Sequence, residues 1–240
     1  MDKEEFTEKL VKKASMINIQ ITNIEADMFY KYMKILLEWN EKINLTSIND
    51  PDDIILKHFI DSITINQYIN KNEKVLDIGT GAGFPGVPLK IVSPKLQITL
   101  VDSLNKRIRF LLEVCKELQL EGIECIHSRA EEMAQNIKYR ENFDIVTSRA
   151  VARLTVLAEY MLPFVRIGGH CICMKGSTIQ EELQEAKKAI EILGGRIEKV
   201  DSFVLPDSDI ERNIIVIKKV KTTLSKYPRK AGIPSKQPIV

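Results

Sequence analysis

The chain has 240 residues, which is enough for one large domain or two small ones. Apolar residues make up 44% of it and charged residues 28%, an ordinary globular composition that excludes a disordered or low-complexity chain. The longest uncharged stretch, residues 78–89, has 12 residues, whereas a membrane span needs about 20 apolar ones. The acidic start of the chain lacks the features of a signal or transit peptide, so we expect a cytoplasmic protein without a membrane partner.

Positive charge is concentrated near the C-terminal end. The net charge is only +2, yet residues 213–240 contain seven Lys or Arg and no acid. Residues 1–212 therefore carry 28 basic and 33 acidic side chains. Clustered cations attract polyanions regardless of sequence. The distribution indicates either a polyanionic partner such as RNA or a solvated tail that merely aids solubility.

The first seventy residues have the patterns of helices. Asp2 and Thr22 are each followed three residues later by a glutamate, as in the capping box that begins a helix. Apolar residues recur at helical spacing after Thr22, and a third helix is predicted near residues 54–69. Because no strand pattern precedes residue 74, we predict an N-terminal helical extension over residues 1–70.

Short apolar runs alternate with amphipathic helices beyond residue 73. This alternation predicts a mostly parallel sheet with helices on both faces, a Rossmann-like α/β fold. The link between the last two strands is too short for a crossover helix, so they form an antiparallel hairpin at the sheet edge. Strands are predicted at residues 74–78, 97–101, 122–127, 143–147, 170–174, 196–205 and 213–220, and helices near residues 86–92, 105–119, 129–137, 153–165 and 178–192.

The end of the chain has three prolines and no apolar periodicity after Tyr227. Prolines interrupt both helices and central strands, so an extended arm or loop is expected there. We therefore divide the chain into the helical extension, a core over residues 71–222 and a basic C-terminal arm over residues 223–240. Cys171 and Cys173 alternate on a predicted strand, which places both on one face, and the four cysteines lack the spacing of a zinc site.

Glycines alternate directly after the first predicted strand, starting at Gly79. Such a loop lets the backbone approach a ligand closely. Residues 81–86 match the G-x-G-x-x-G pattern of dinucleotide sites, whereas Asp77 together with the glycines matches the loop of class I S-adenosylmethionine (SAM) methyltransferases. A carboxylate at the strand end suits a cationic amino-acid group and repels a pyrophosphate, and Pro85 lacks an N–H for phosphate binding. The loop favours SAM over a dinucleotide and over a purely structural turn.

Charged residues also follow the second and third strands. Asp102 lies about 20 residues past the glycine loop, where a carboxylate accepts hydrogen bonds from the ribose of either NAD or SAM, and it is also placed to cap the next helix. Lys106 and Arg107 lie in the first turn of that helix, where the helix dipole disfavours positive charge. We therefore expect them either to face an anion such as RNA or to be simply solvated. Residues 128–131 match a capping box in a loop beside the nucleoside pocket.

Motifs along nearly the whole chain occur together in the order of one known family. They are Trp39-Asn40 with Asn44-Leu45-Thr46, His58-Phe59 with Asp61-Ser62, Asp77 to Gly86, Val101-Asp102-Ser103 with Lys106-Arg107, Arg129-Ala130-Glu131, Ser148-Arg149-Ala150, Lys175-Gly176, and Tyr227 to Gly232 with Pro234. In these motifs the chain resembles the RsmG (GidB) family, bacterial SAM-dependent methyltransferases that modify a guanine at N7 in the decoding region of 16S rRNA.

The resemblance implies a class I SAM-dependent methyltransferase fold with SAM as cofactor. It also implies 16S rRNA or the small ribosomal subunit as partner, and we expect a monomer without a bound metal. The cofactor contacts of the family fall on Gly79, Phe84, Ala130, Glu131 and Arg149. Asp102 takes the usual ribose position, and Gly81 belongs to the same loop. Phe84 is expected either to pack on SAM or a base, or to belong to the core.

Guanine N7 already carries an in-plane lone pair, so the implied transfer requires no general base. Arg149 follows the fourth strand and is the candidate that positions the target base. Its guanidinium is expected to donate hydrogen bonds to a phosphate or to guanine O6, or else to form an ion pair with Asp144 or Glu131. The residues predicted to contact RNA are Lys106, Arg107, Arg153, Lys175, Arg229 and Lys230. Two rival functions are an NAD(P)-linked oxidoreductase and an RNA-binding assembly factor that holds SAM without turnover.

Overall fold

The apolar segments predicted as strands pair into one sheet in the computed structural model, which describes residues 1–149, 152–177 and 179–239. The strand order is β3-β2-β1-β4-β5-β7-β6, with parallel pairing from β3 to β5 and antiparallel pairing of β7 with both of its neighbours. The predicted Rossmann-like sheet with an antiparallel edge hairpin is thus confirmed. The strands are β1 Lys74–Ile78, β2 Gln97–Asp102, β3 Ile123–His127, β4 Phe143–Arg149, β5 Val165–Lys175, β6 Gly195–Val204 and β7 Glu211–Lys219.

Helices cover both faces of this sheet. They are α1 Lys3–Met16, α2 Asn23–Ile43, a composite α3 over residues 51–68, α4 Gly86–Val92, α5 Asn105–Glu117, α6 Ala130–Met133, α7 Leu154–Met161, α8 Gln180–Ile192 and α9 Ile233–Lys236. Neighbouring residues of one strand point to opposite faces. Accordingly, Val75 of β1 packs with α1 to α5, while Leu76 packs with α6 to α8. Cys171 and Cys173 are both buried on the second face, as predicted.

The N-terminal helices begin where the sequence indicates. The Asp2 carboxylate accepts from the amide of Glu5, and Thr22 forms a reciprocal capping box with Glu25. Helix α3 begins before the predicted position because the Asp50 side chain caps it and Pro51 suits its first turn. Its middle, Ile54–Ile60, is π-helical. This part of α3 carries residues that contact the end of β4.

The third capping box, predicted at residues 128–131, is wrong. Helix α6 begins after Arg129 without a side-chain cap, and the Ser128 hydroxyl donates to the Arg129 carbonyl instead. The helix is only four residues long, shorter than the predicted 129–137. Ala150 of the Ser148-Arg149-Ala150 motif, Thr178 at the start of a predicted helix and Val240 at the end of the predicted arm lie outside the described residues.

The C-terminal arm is mostly a loop packed on the core, so the structure agrees with the loop and not with the extended arm of the prediction. The Arg140 guanidinium donates to the carbonyls of Thr223 and Tyr227 at 2.8 and 2.9 Å, and Ile239 is buried in the second apolar cluster. Helix α9 adds a short turn near the end of this segment. The division of the chain at residues 70 and 222 stays a prediction. In the part of the chain that the structure describes, no helix is long and apolar enough to cross a bilayer.

One ion pair anchors this arm. The Arg229 guanidinium donates to the carboxylate of Glu159 at 2.6 and 3.0 Å, and the Glu159 side chain is 1% exposed. We expect Arg229→Ala to lower the free energy of unfolding by about 3 kcal/mol, because it leaves a buried carboxylate unpaired. Denaturant titration measures the loss. Lys230→Ala, at the exposed neighbouring position, is the matched control, and an equal loss in both variants would contradict the structural role of the pair.

Candidate active site

The glycine loop after β1 is fixed by hydrogen bonds to the Val101 carbonyl of β2 and to its own Thr80 carbonyl. Backbone carbonyls accept, at 2.8 to 3.1 Å, from the amides of Gly79, Thr80, Gly83 and Phe84. The amide of Gly86 at the start of α4 donates to Asp77 Oδ2 at 2.9 Å. A phosphate would bind at such a helix start through free amides. The carboxylate of Asp77 already takes that place, so the loop is unsuited to a diphosphate.

Asp77 holds the loop through hydrogen bonds to its Oδ2 atom, and its side chain does not line the cavities beside the loop. It is fully buried, its Oδ2 also accepts from the Thr80 hydroxyl at 2.7 Å, and burial raises the pKa of the carboxyl to about 6. A Cβ on Gly86 would lie 2.3 Å from a methyl of Leu100 and 3.0 Å from Asp77 Oδ2, so this position requires glycine. Asp77 Oδ1 has no hydrogen-bond partner among the described residues, and the expectation that this carboxylate suits the cationic part of SAM stays a prediction.

Two adjoining cavities lie at the carboxyl ends of the parallel strands. The central cavity, of about 420 Å³, is lined by Leu45, Thr46, His58, Gly79, Thr80, Gly81, Ala82, Phe84, Asp102, Ser103, Arg107 and Arg149. The side cavity, of about 170 Å³, shares three of these residues and adds Ser128, Arg129, Ala130, Glu131 and Tyr160 among others. Every residue predicted to bind the cofactor thus lines one of two connected spaces.

Asp102 is the acid at the junction of these cavities. Its carboxylate is 2% exposed, and its Oδ1 accepts from the amide of Leu104 at 2.9 Å. Its Oδ2 accepts from the amide of Gly81 at 3.0 Å and from Arg107 at 3.1 Å. The structure therefore places the Arg107 guanidinium in the central cavity on Asp102, while its assignment as an RNA contact stays a prediction. Oδ1 retains a lone pair for a hydroxyl donor.

Arg149 lies at the end of β4 and is paired with α3. It donates to Asp61 Oδ2 at 3.1 Å and to the Lys57 carbonyl at 2.9 Å, and it lies 4.9 Å from the centre of the Phe84 ring. Asp61, not Asp144 or Glu131, is its ion-pair partner. The other oxygen of Asp61 accepts from Arg212 at 3.0 Å, so one buried carboxylate is shared by two guanidinium groups.

Sequence reasoning missed the importance of His58. Its Nδ1 is 3.2 Å from Arg149, its Nε2 is 2.9 Å from the Thr46 hydroxyl, and its ring stacks on Phe84 at 4.4 Å. Burial and the nearby guanidinium lower the pKa of His58 to about 3, so the imidazole is neutral. The spacing of His58 and Asp61 on a helix was visible in the sequence. Arg212 gave no signal, because only the β7 hairpin brings it to Asp61.

The depressed pKa of His58 predicts a stability effect in acid. A histidine that is neutral when folded loses stability as the pH falls from its unfolded pKa, near 6.5, towards about 3. Over this range we expect the wild-type free energy of unfolding to fall more steeply than that of His58→Asn, by up to about 1.4 kcal/mol per unit of pKa shift. Urea titrations at several pH values measure the slopes, and parallel slopes would contradict the buried neutral imidazole.

The other residues predicted to contact RNA have different surroundings. Lys106 is exposed and donates to the Ile43 carbonyl at 3.1 Å, and Lys230 is exposed on the C-terminal arm. Arg153 is 57% exposed and pairs with a glutamate, whereas Lys175 is largely buried and pairs with Glu182 at 2.7 Å. No cluster of His, Cys, Asp or Glu within the described ranges is arranged to hold a metal ion.

The donors and acceptors of the two cavities fit a nucleoside with an amino-acid tail. Asp102 offers an acceptor for a ribose hydroxyl at their junction, and Arg149 brings a cation to one end. Gly81 has a positive φ of 62°, and nothing lies within 4 Å of where its Cβ would project. The backbone there is open to a ligand. These features fit SAM.

Comparisons with known proteins agree with this assignment. The family model "rRNA small subunit methyltransferase G" (GidB) matches residues 25–215. A protein of that name from Alkaliphilus oremlandii is 53% identical over 98% of this chain and 99% of its own, and one from Brevibacillus brevis is 48% identical over the full length of both.

Solved structures with little sequence similarity share the fold. Precorrin-6y C5,15-methyltransferase from Geobacter metallireducens has a TM-score of 0.51 at 14% identity, covering 67% of this chain and 87% of its own. TYW2 from M. jannaschii, solved in complex with AdoMet, has a TM-score of 0.52 at 14% identity, covering 67% of this chain and 77% of its own. Together with the family match, the site identifies a methyltransferase that uses SAM, and the chain belongs to the rRNA small subunit methyltransferase G (GidB) family.

Proposed function

We propose that the protein methylates N7 of a guanine in the decoding region of 16S rRNA. The names of its relatives, rRNA small subunit methyltransferase G, support an rRNA substrate. The choice of N7 and of the decoding region rests on the resemblance of the sequence motifs. We also expect the protein to act in the cytoplasm as a monomer on 16S rRNA or the small ribosomal subunit.

The order of the cavities supports a nucleotide substrate beside the cofactor. An outer cavity of about 360 Å³ lies beyond the central cavity and shares His58 and Arg149 with it. Its other lining residues are Ile48, Lys57, Asp61, Met174, Lys175, Gly176 and Arg212. It therefore combines apolar side chains with four Lys or Arg, of which Lys57 and Lys175 pair with Asp53 and Glu182 while the two arginines share Asp61. Apolar contacts suit the faces of a base, and the Lys57 ion pair is exposed enough to exchange its carboxylate for a phosphate. We assign the target guanosine to the outer cavity.

The side chains around this boundary support a transfer without a general base. SAM, when bound, supplies a methyl group on a sulfonium centre, and N7 offers its lone pair without losing a proton. Both nitrogens of His58 are engaged, and both oxygens of Asp61 accept from guanidinium groups. The role left to the protein is to orient two bound reactants, which contributes roughly 7–11 kcal/mol to lowering a barrier.

The predicted RNA contacts are revised by their surroundings. Lys106 and Lys230 keep exposed ammonium groups, and the Arg153 ion pair is exposed enough to exchange its glutamate for a phosphate at little cost. We propose these three as phosphate contacts. Lys175 and Arg229 instead hold the protein's own structure, and Arg107 holds Asp102.

A methylation assay with an altered base tests the proposal. The protein is incubated with labelled SAM and small-subunit RNA that lacks the modification, and the RNA is cleaved chemically at 7-methylguanine. The matched control RNA carries 7-deazaguanine at the labelled position, which removes N7 and keeps the pairing edge. We expect label only in the first RNA. Label in both RNAs would show that an atom other than N7 is methylated. SAM binding without label in either RNA would support the assembly-factor alternative.

A further inference from the structure

The protonation of His58 follows from its neighbours. A guanidinium can only donate hydrogen bonds, so His58 Nδ1, 3.2 Å from Arg149, must accept. The proton of the neutral ring is then on Nε2, and this group donates to the Thr46 hydroxyl oxygen at 2.9 Å. The same oxygen accepts from the amide of Ile48 at 3.1 Å. A hydroxyl has two lone pairs, and both are now used.

The hydroxyl hydrogen of Thr46 must therefore be donated elsewhere. Within residues 1–149, 152–177 and 179–239 no acceptor receives it, and Thr46 lines the central cavity. The loop that carries Thr46 is held firmly, because the side-chain amide of Asn40 makes hydrogen bonds to Leu45, Thr46 and Asn49. Asn40 Oδ1 accepts from the amides of Leu45 and Thr46 at 2.6 and 2.8 Å, and Nδ2 donates to the Thr46 carbonyl at 2.8 Å and to Asn49 at 2.6 Å.

The arrangement of the cavities indicates which acceptor this donor meets. The side cavity with Ala130 and Glu131 lies at one end, and Asp102 lies at the junction. Thr46 and Arg149 belong to the part of the central cavity that the side cavity does not share. A nucleoside whose ribose is held by Asp102, with its base towards Ala130, extends its amino-acid tail into this part. The tail has one anionic group, its carboxylate, and a charge-assisted acceptor suits a fixed hydroxyl donor.

We propose that the Thr46 hydroxyl donates a hydrogen bond to the carboxylate of the cofactor's amino-acid tail. His58 and Asn40 act as positioning residues, since the first fixes the direction of the hydroxyl and the second fixes its loop. This inference rests on the placement of SAM in the central and side cavities given above. It assigns part of the cofactor site to the N-terminal helical extension, outside the sheet and its loops.

The test compares two ligands and two substitutions by calorimetry with the full chain. S-adenosylhomocysteine carries the tail carboxylate, and 5′-methylthioadenosine lacks the tail. We expect Thr46→Val to weaken S-adenosylhomocysteine binding about tenfold, the value of one hydrogen bond to a charged group, and to leave 5′-methylthioadenosine binding unchanged. Thr46→Ser, which keeps the hydroxyl, should restore the affinity of the tail-bearing ligand.

Three results would overturn the inference. If Thr46→Val weakens the binding of both ligands equally, the substitution distorts the site in general. If the binding of both ligands is unchanged, Thr46 is not part of the cofactor site. Slowed RNA methylation with unchanged S-adenosylhomocysteine affinity would assign the donor to the RNA base instead. The binding measurements need no RNA, so they stand independently of whether N7 is the methylated atom.

Discussion

Replacing Arg149 by glutamine is expected to cost both folding and catalysis. The guanidinium is buried between Asp61, the Lys57 carbonyl and His58, so its loss removes one of the two cations that share a buried carboxylate. We expect the free energy of unfolding to fall by about 1–3 kcal/mol for each buried acceptor that loses its donor, the Lys57 carbonyl and His58 Nδ1, while Asp61 keeps Arg212. Because Arg149 and His58 form the boundary between the central and outer cavities, we also expect methyl transfer to slow by about 100-fold through misplaced reactants.

A double-mutant cycle with Asp61→Asn separates the two losses. Because Arg149 and Asp61 interact directly, the double variant should lose less stability than the sum of the two single losses, although Arg212 then also lacks its carboxylate partner. Its methylation rate should stay low, because the side chain at the boundary is still absent. Denaturant titration and a single-turnover assay measure the two quantities. Additive stability losses would contradict the pairing, and recovered activity would make Arg149 purely structural.

Replacing Gly86 by alanine is expected to destabilise the protein strongly. The added Cβ would lie 2.3 Å from Leu100 and would press on the carboxylate that holds the glycine loop. Neither neighbour is free to move, because both are buried beneath the loop. We expect a loss of about 3 kcal/mol or more in the free energy of unfolding, at the upper end of what overpacking causes.

Two other glycines make matched controls for this substitution. Gly176→Ala adds a methyl group with nothing within 4 Å and should change stability little. Gly81→Ala places a methyl group in open space towards the central cavity at a positive φ of 62°. We therefore expect a modest stability loss of about 1 kcal/mol and weakened cofactor binding. Thermal or chemical unfolding of the three variants ranks them, and a Gly86→Ala protein as stable as Gly176→Ala would contradict the packing described.

The sheet and the glycine loop could be predicted because their signals are local. Buried strands of five or six residues and alternate glycines leave marks within a short window of sequence, as at β1 and the loop from Gly79. Asp102 was found in the same way, since it ends a predicted strand at a fixed distance from that loop. The helix starts at Asp2 and Thr22 likewise depend on hydrogen bonds within four residues.

The partners of charged side chains could not be predicted, because they depend on tertiary contacts. Asp61 meets Arg149 and Arg212, which are 88 and 151 residues away along the chain. Arg229 similarly pairs with Glu159, 70 residues away along the chain, and anchors the C-terminal arm. The π-helical turn in α3 that places His58 beside Phe84 has no sequence pattern of its own. A basic residue near an expected site therefore has no assignable role until its partner is known.

Ligand binding by the full chain tests the central claim that the glycine loop serves a sulfonium nucleoside and not a dinucleotide. Four of the loop amides donate to backbone carbonyls, that of Gly81 donates to Asp102, and the carboxylate of Asp77 accepts at the start of α4 where a diphosphate would lie. Calorimetric titration with S-adenosylhomocysteine and, separately, with NAD compares the two ligand classes directly. The structure predicts heat of binding with the first and none with the second. Binding of NAD by a protein that ignores both S-adenosylhomocysteine and SAM would contradict it.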